Sequence, residues 1–166
     1  RVLLNQFRTH PTKNLYAFVY ERSTTLAQKR SPVSLIVQLT AISSERLPAL
    51  QDLLSQRGLL VSIAFPRRPE SVFEGVEMPV VILLSVPGPT STYVSTRINR
   101  FYTKERPMAM ELLRLARHSV RLHGHRIAKF GQSADISIYD RISKPAATAD
   151  SFAAEGGEGV LYYQEA

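Results

Sequence analysis

Residues Arg67–Val86 read RRPESVFEGVEMPVVILLSV. The segment opens as a basic, proline-bounded loop and closes as the nearly continuous apolar run Val80-Val-Ile-Leu-Leu84. A second apolar run, Leu59-Leu-Val-Ser-Ile-Ala-Phe65, enters the loop from the other side. Short apolar runs bounded by turn residues fit strands buried on both faces. The pair predicts a hairpin inside a sheet, with the strand at 80–86 antiparallel to its neighbours. Phe73 stands alone in the loop among Glu70, Glu74 and Glu77.

Upstream, Arg1–Lys13 reads as a polar lead-in. Asn14 can cap a helix running to about Gln28, with Leu15, Phe18, Val19 and Leu26 as its apolar face. Arg30-Ser31-Pro32 breaks that helix, and SLIVQL at 34–39 reads as a short buried strand followed by a turn at Thr40–Ser44. A second helix is expected from near Ser44, with Pro48 in its first turn. Leu47, Leu50, Leu53 and Leu54 form its stripe, and Gly58 takes the C-terminal cap. Helix, strand, helix, strand is an α/β rhythm with a right-handed crossover between parallel strands. The expected strand order is 34–39, 80–86, 59–65, because the strand apolar on both faces belongs in the middle.

Downstream, Pro87-Gly88-Pro89 ends the sheet, and Thr92–Tyr102 reads as an extended, partly exposed arm. Pro107 opens a helix to about His123, stopped by Gly124. Ala109, Leu112, Leu113, Ala116 and Val120 form its core face, and Arg114, Arg117, His118 and Arg121 a basic stripe opposite. Arg126–Gly131 is a short basic loop, Asp135–Ile142 a further helix start, Lys144–Gly159 a linker, and Val160–Tyr163 the start of another strand. Three regions result: an α/β region at 1–89, a basic region of arm and helices at 90–143, and a linker with the start of a further region at 144–166.

With 166 residues, 44% of them hydrophobic, the chain can bury one core. It has no cysteine, which excludes disulfides and thiolate metal sites. No signal peptide or spanning run is present, and the first residue is Arg1 rather than Met; a cytoplasmic piece of a longer protein is expected, without a membrane. The formal charge of +7 is concentrated. Between residues 97 and 129 stand Arg97, Arg100, Lys104, Arg106, Arg114, Arg117, Arg121, Arg126 and Lys129, against Glu105 and Glu111 alone. Such a segment is either a polyanion-binding surface or a solvated face.

Most catalytic patterns are absent: there is no G-x-S-x-G, P-loop or complete G-x-G-x-x-G. His123 and His125 would need a third partner to hold a metal, so no metal site is expected. Ser43 and Ser44 read as helix caps rather than nucleophiles.

Five stretches occur in a telling order: NLYAFVYER at 14–22, SLIV at 34–37, RRPESVFEGV at 67–76, FYTKERP at 101–107 and RIAKFG at 126–131. Over roughly residues 5–142 the chain resembles the C-terminal half of the catalytic domain of S-adenosylmethionine-dependent DNA adenine-N6 methyltransferases of restriction–modification type. The resemblance implies a partial Rossmann-like methyltransferase sheet followed by a helical, basic extension. Strands 34–39, 59–65 and 80–86 would be the fifth, sixth and seventh, the last inserted antiparallel between the other two. It also implies that the loop before the seventh strand lines the target-base pocket, where Phe73 would stack on a flipped adenine; the alternative role for Phe73 is a lid on the local core.

The departures are equally specific. The catalytic Asn/Asp-Pro-Pro-Tyr/Phe motif and the Gly-rich cofactor loop, both upstream in the family, do not occur here. Gln28–Pro32 and Gln38 stand where the family favours a Gly-containing turn and a proline. The expectation is therefore a fragment without catalytic residues that binds S-adenosylmethionine only with its missing N-terminal half, and double-stranded DNA as its other partner. Arg67, Arg68 and Phe73 would lie near the base, with Arg97, Arg100, Lys104, Arg106, Arg114, Arg117, Arg121 and Lys129 towards phosphates. Two alternatives remain: a non-catalytic DNA-binding or specificity module, and a protein-interaction domain without a nucleic-acid role.

Overall fold

The computed structural model describes residues 4–28, 30–122 and 125–143. The linker and strand expected beyond Lys144 lie outside the described residues, as do His123 and Gly124. Arg1–Ser133 is one compact unit and Ala134–Ala166 a second.

The first unit is α/β, built on an open, mixed five-stranded sheet. Helix α1 spans Leu15–Leu26 and is capped as expected, with the Asn14 side chain accepting from the Tyr16 N–H. Strand β1 (Val33–Gln38), the single-turn helix α2 (Thr40–Ser43), helix α3 (Pro48–Ser55) and strand β2 (Gly58–Phe65) follow. Then come β3 (Val80–Pro87), β4 (Thr92–Ile98) and β5 (Ala116–His118). The spatial order is β1-β3-β2-β4-β5. The expected core of this order is present: β3 lies between β1 and β2 and is antiparallel to both, with Ile82 opposite Ile36 on one side and Ile63 on the other.

Alternation along β3 divides the core in two. Val81 and Leu83 join Tyr20, Ile42, Leu50, Leu54 and Leu60 in the helix-side cluster. Val80 and Ile82 join Phe65, Phe101 and Ala109 on the other face, where the covering chain is loop and a 3₁₀ turn rather than an α-helix. Phe65 and Phe101 meet there edge to face, with centroids 6.1 Å apart. The helix-side cluster is tied across the sheet by a buried hydrogen bond from the Tyr20 hydroxyl to Ser85 Oγ, 2.8 Å.

Four expectations are corrected. The sheet does not end at Pro87-Gly88-Pro89: residues 92–98, read as an arm, form β4, parallel to β2, and β4 pairs antiparallel with β5. The helix expected at 107–123 is absent. A 3₁₀ turn at Thr103–Met108 gives way to turns and then to β5, so the stripe Arg114, Arg117, His118 and Arg121 does not exist as a helix face. Hydrogen bonding of β5 to β4 supplies a tertiary partner that outweighs local helical propensity.

Third, the face of α1 is turned. Ala17 and Tyr20 are its buried residues, whereas Leu15 and Leu26 are 77% and 68% exposed. Fourth, Gln56 rather than Gly58 caps α3, and the helix begins at Pro48, with Ser44 ending α2 instead. Gly58 opens β2 with φ +110°, and a Cβ there would stand 2.4 Å from the backbone nitrogen of Gly88. Glycine is thus required by the close approach of two chains.

Helix α4 covers Ser133–Ile142, all but its first residue in the second unit, and includes the helix start expected at Asp135. Among the described residues no helix is long and apolar enough to cross a membrane.

Candidate nucleic-acid interface

The loop at 66–79 is held at three points. Arg67 pairs with Glu77 at 3.0 Å across its mouth. Glu70 accepts from Arg106 Nη2 at 2.8 Å and from the Thr103 hydroxyl at 2.9 Å, which joins the loop to the 3₁₀ turn. Gly75, at φ +73°, completes a tight turn in which the Val76 N–H donates to the Phe73 carbonyl. These contacts place Phe73 half-buried against the apolar cluster of Phe65, Val80 and Phe101.

Phe73 also lines a cleft of about 470 Å³. Val76 and Met78 of the loop, Ile36 and Gln38 of β1, and Asn14 and Tyr16 at the start of α1 complete it. The Tyr16 and Thr40 hydroxyls share a hydrogen bond of 3.0 Å, and Gln38 Nε2 points to Met78 Sδ at 3.3 Å. Apolar walls with the carboxamides of Asn14 and Gln38 and the Tyr16 hydroxyl among the lining residues suit a flat ligand with hydrogen-bonding edges. Phe73 thus serves the core and the cleft together.

The cations separate into groups. Arg67, Arg106 and Arg121 are in ion pairs, Arg121 with Asp52 at 2.8 Å. Asp52 also meets His125 Nδ1 at 2.7 Å. Burial raises the Asp52 pKa, but the hydrogen bonds from Arg121 and His125 together outweigh it and hold the carboxyl below its ordinary value. Lys129 is half-buried; burial, and then the charge of Arg126, push its pKa down. Arg68, Arg100, Lys104, Arg114 and Arg117 are exposed, and none of them has an ion pair among the described residues.

Arg97, Arg100 and Arg114 are gathered around a separate pocket of about 250 Å³. A register shift between β2 and β4 prepares it. At the shift the Thr96 hydroxyl accepts from the Ala64 N–H at 3.1 Å and from Asn99 Nδ2 at 2.8 Å, while Asn99 donates to the Ala64 carbonyl through its backbone and side chain. The strand re-pairs at Ile98 and ends there, with Arg97 before Asn99 in the chain and Arg100 after it. Gly131 admits Arg97, since a Cβ there would stand 2.9 Å from Arg97 Cγ.

One cluster that sequence reading did not single out has the look of a catalytic dyad. Ser95 Oγ lies 2.9 Å from His118 Nε2. The Ser95 hydroxyl, however, donates to the Phe130 carbonyl and accepts from the Phe130 N–H, both at 2.9 Å. The Phe130 carbonyl thus competes with His118 Nε2 for the one hydroxyl proton. Ser95 is fully buried and His118 lies between Tyr93 and Phe130. Burial lowers the His118 pKa. The cluster fastens β4, β5 and residue 130 together and is structural. Among the described residues no group of three metal-ligating side chains occurs.

No protein-family model, curated protein or solved structure matches this chain.

Proposed function

We propose that the chain is the target-base side of a DNA adenine-N6 methyltransferase domain. The cleft at Phe73 carries this reading. An aromatic ring on the loop before an antiparallel strand, itself inserted between two others, lines a cleft with apolar residues, two carboxamides and a hydroxyl. That combination accepts a flipped adenine: the ring stacks on the base and Gln38 meets its hydrogen-bonding edge. β4 and β5 are additions to the seven-stranded sheet of the family and widen it on the β2 side.

The cationic cofactor S-adenosylmethionine does not fit either cavity. One is lined by three guanidinium groups and the other by no carboxylate, and a sulfonium gains nothing from such surroundings. No methyl-transfer step is therefore assigned to these residues. In this reading the cofactor and the exocyclic amine are held by an N-terminal half, docked on the edge of β1 that has no partner among the described strands. Duplex DNA is the polyanionic partner, met by the exposed cations Arg68, Lys104 and Arg117.

The test is fluorescence anisotropy with a duplex carrying one extrahelical adenine and the matched perfect duplex. The bulged duplex should bind more tightly, and Phe73→Ala should remove about 1–3 kcal/mol of that preference with an unchanged salt slope. Equal affinity for the two duplexes, or an indifferent Phe73→Ala, refutes the stacking role. Restoring the upstream half should then give methyl transfer to adenine; DNA binding without it would favour the non-catalytic module.

A further inference from the structure

We propose that the pocket of Arg97, Arg100 and Arg114 is a seat for a single phosphate group, separate from the Phe73 cleft. Its volume of about 250 Å³ lies at or just below the lower end of the ~300–1,000 Å³ range of ligand pockets. It suits a compact anion rather than a whole cofactor.

Three features of the pocket are specific. Its charged lining residues are all arginines, and Asn99 and Gln132 add neutral amides. The guanidiniums come from different places: the end of β4, the loop after it, and the chain entering β5. Arginines supplied from several parts of the chain suit a tetrahedral phosphate, which offers oxygens in several directions, better than a planar carboxylate. Finally, Arg100 and Arg114 have no hydrogen-bond or ion-pair partner among the described residues, while Arg106 close by in sequence is committed to Glu70. Arg97 has further contacts, so the weight falls on the other two. Gathering like charges around one cavity is unfavourable until an anion enters.

Phe101 and Ala109 supply a buried apolar base, 3% and 5% exposed. The arginines themselves are exposed, so an anion can reach them from solvent. The scaffold is rigid where it matters: Asn99, between the two cations of the β4 end, is fastened to Ala64 by both its backbone and its side chain.

The phosphate can be free or part of a nucleic-acid backbone, and two titrations of the full chain separate these sources. The first follows amide NMR signals of Asn99 and Gly131 during addition of inorganic phosphate at constant ionic strength, with acetate as comparison. Saturable shifts with phosphate, weakened at least tenfold in Arg100→Ala and in Arg114→Ala, support a seat for free phosphate. The second measures duplex-DNA affinity over a salt series. Without phosphate shifts, a log–log slope flattened by about 0.9 in each variant supports a seat for a backbone phosphate. Arg46→Ala, which removes an exposed charge outside the pocket, should leave the phosphate titration unchanged. Acetate binding as tightly as phosphate, or neither titration responding to either variant, overturns the proposal. Both titrations are independent of Phe73, so loss of the stacking role leaves this result standing.

Discussion

Replacing Tyr20 by Phe deletes one oxygen from the helix-side core. Tyr20 is 2% exposed and Ser85 fully buried, and their hydroxyls meet at 2.8 Å, 65 residues apart in the chain. The bond connects α1 to the central strand β3. Losing it forfeits about 1 kcal/mol of net hydrogen bonding, and Ser85 Oγ left dry adds a desolvation penalty. The expected loss is about 2 kcal/mol, a fall in Tm of roughly 4–8 °C for a protein of this size. Ser85→Ala strands the Tyr20 hydroxyl in the same way and should cost about as much. The double variant removes both polar groups, so it should lose less than the sum of the singles by about 1–2 kcal/mol. Urea unfolding of the four proteins measures that coupling. Additivity within about 0.5 kcal/mol would show that the two hydroxyls do not meet and that α1 is seated differently on the sheet.

Three further outcomes are expected. Gly58→Ala should destabilise by about 2–4 kcal/mol, combining a disfavoured positive φ with a clash against the Gly88 backbone; wild-type stability in urea would contradict that contact. His118 is buried and its folded pKa lies below the unfolded value of about 6.5. Below pH 6.5 the unfolded state therefore binds the proton first, and stability should fall until the folded pKa is passed. That step precedes the carboxylate loss from Glu21 and Asp52, whose folded pKa values are lowered and whose losses start only as pH falls towards their unfolded values near 4. Unfolding at pH 7.5 and 5.5 should show it in the wild type and much less in His118→Phe. Arg121→Ala should cost at most about 1 kcal/mol, as for other partly exposed pairs. It should leave the salt slope of DNA binding unchanged, because Asp52 already holds the guanidinium; a slope flattened as in Arg114→Ala would return Arg121 to the phosphate contacts.

Sequence alone was sufficient for the order of β1, β3 and β2. Val80–Leu84 is apolar at every position, and a strand with no polar face has no stable place at an edge, so β3 had to lie between β1 and β2. The cap of α1 was equally legible, because Asn14 acts on Tyr16 two residues away and needs no tertiary partner. The isolated Phe73 in an acidic loop was visible too, although its place beside Tyr16 and Gln38 was not.

Tertiary structure decided the rest wherever polar atoms are buried or local signals conflict. β4 reads TYVSTRI, with Ser95 and Thr96 at fully buried positions, so hydrophobic alternation does not reveal it. Those hydroxyls are satisfied by His118, Phe130, Ala64 and Asn99, all distant in sequence or set by the fold. Residues 107–121 carry helical spacing of apolar and basic side chains, yet Leu112 and Leu115 are 59% and 50% exposed and the segment gives up a strand to β4. A local period proposes a helix, but only a buried face sustains one. The charge density at 97–129 was likewise plain in the chain. Which cations are spent on Glu70 and Asp52, and which gather around one pocket, depends on contacts between residues that only folding brings together.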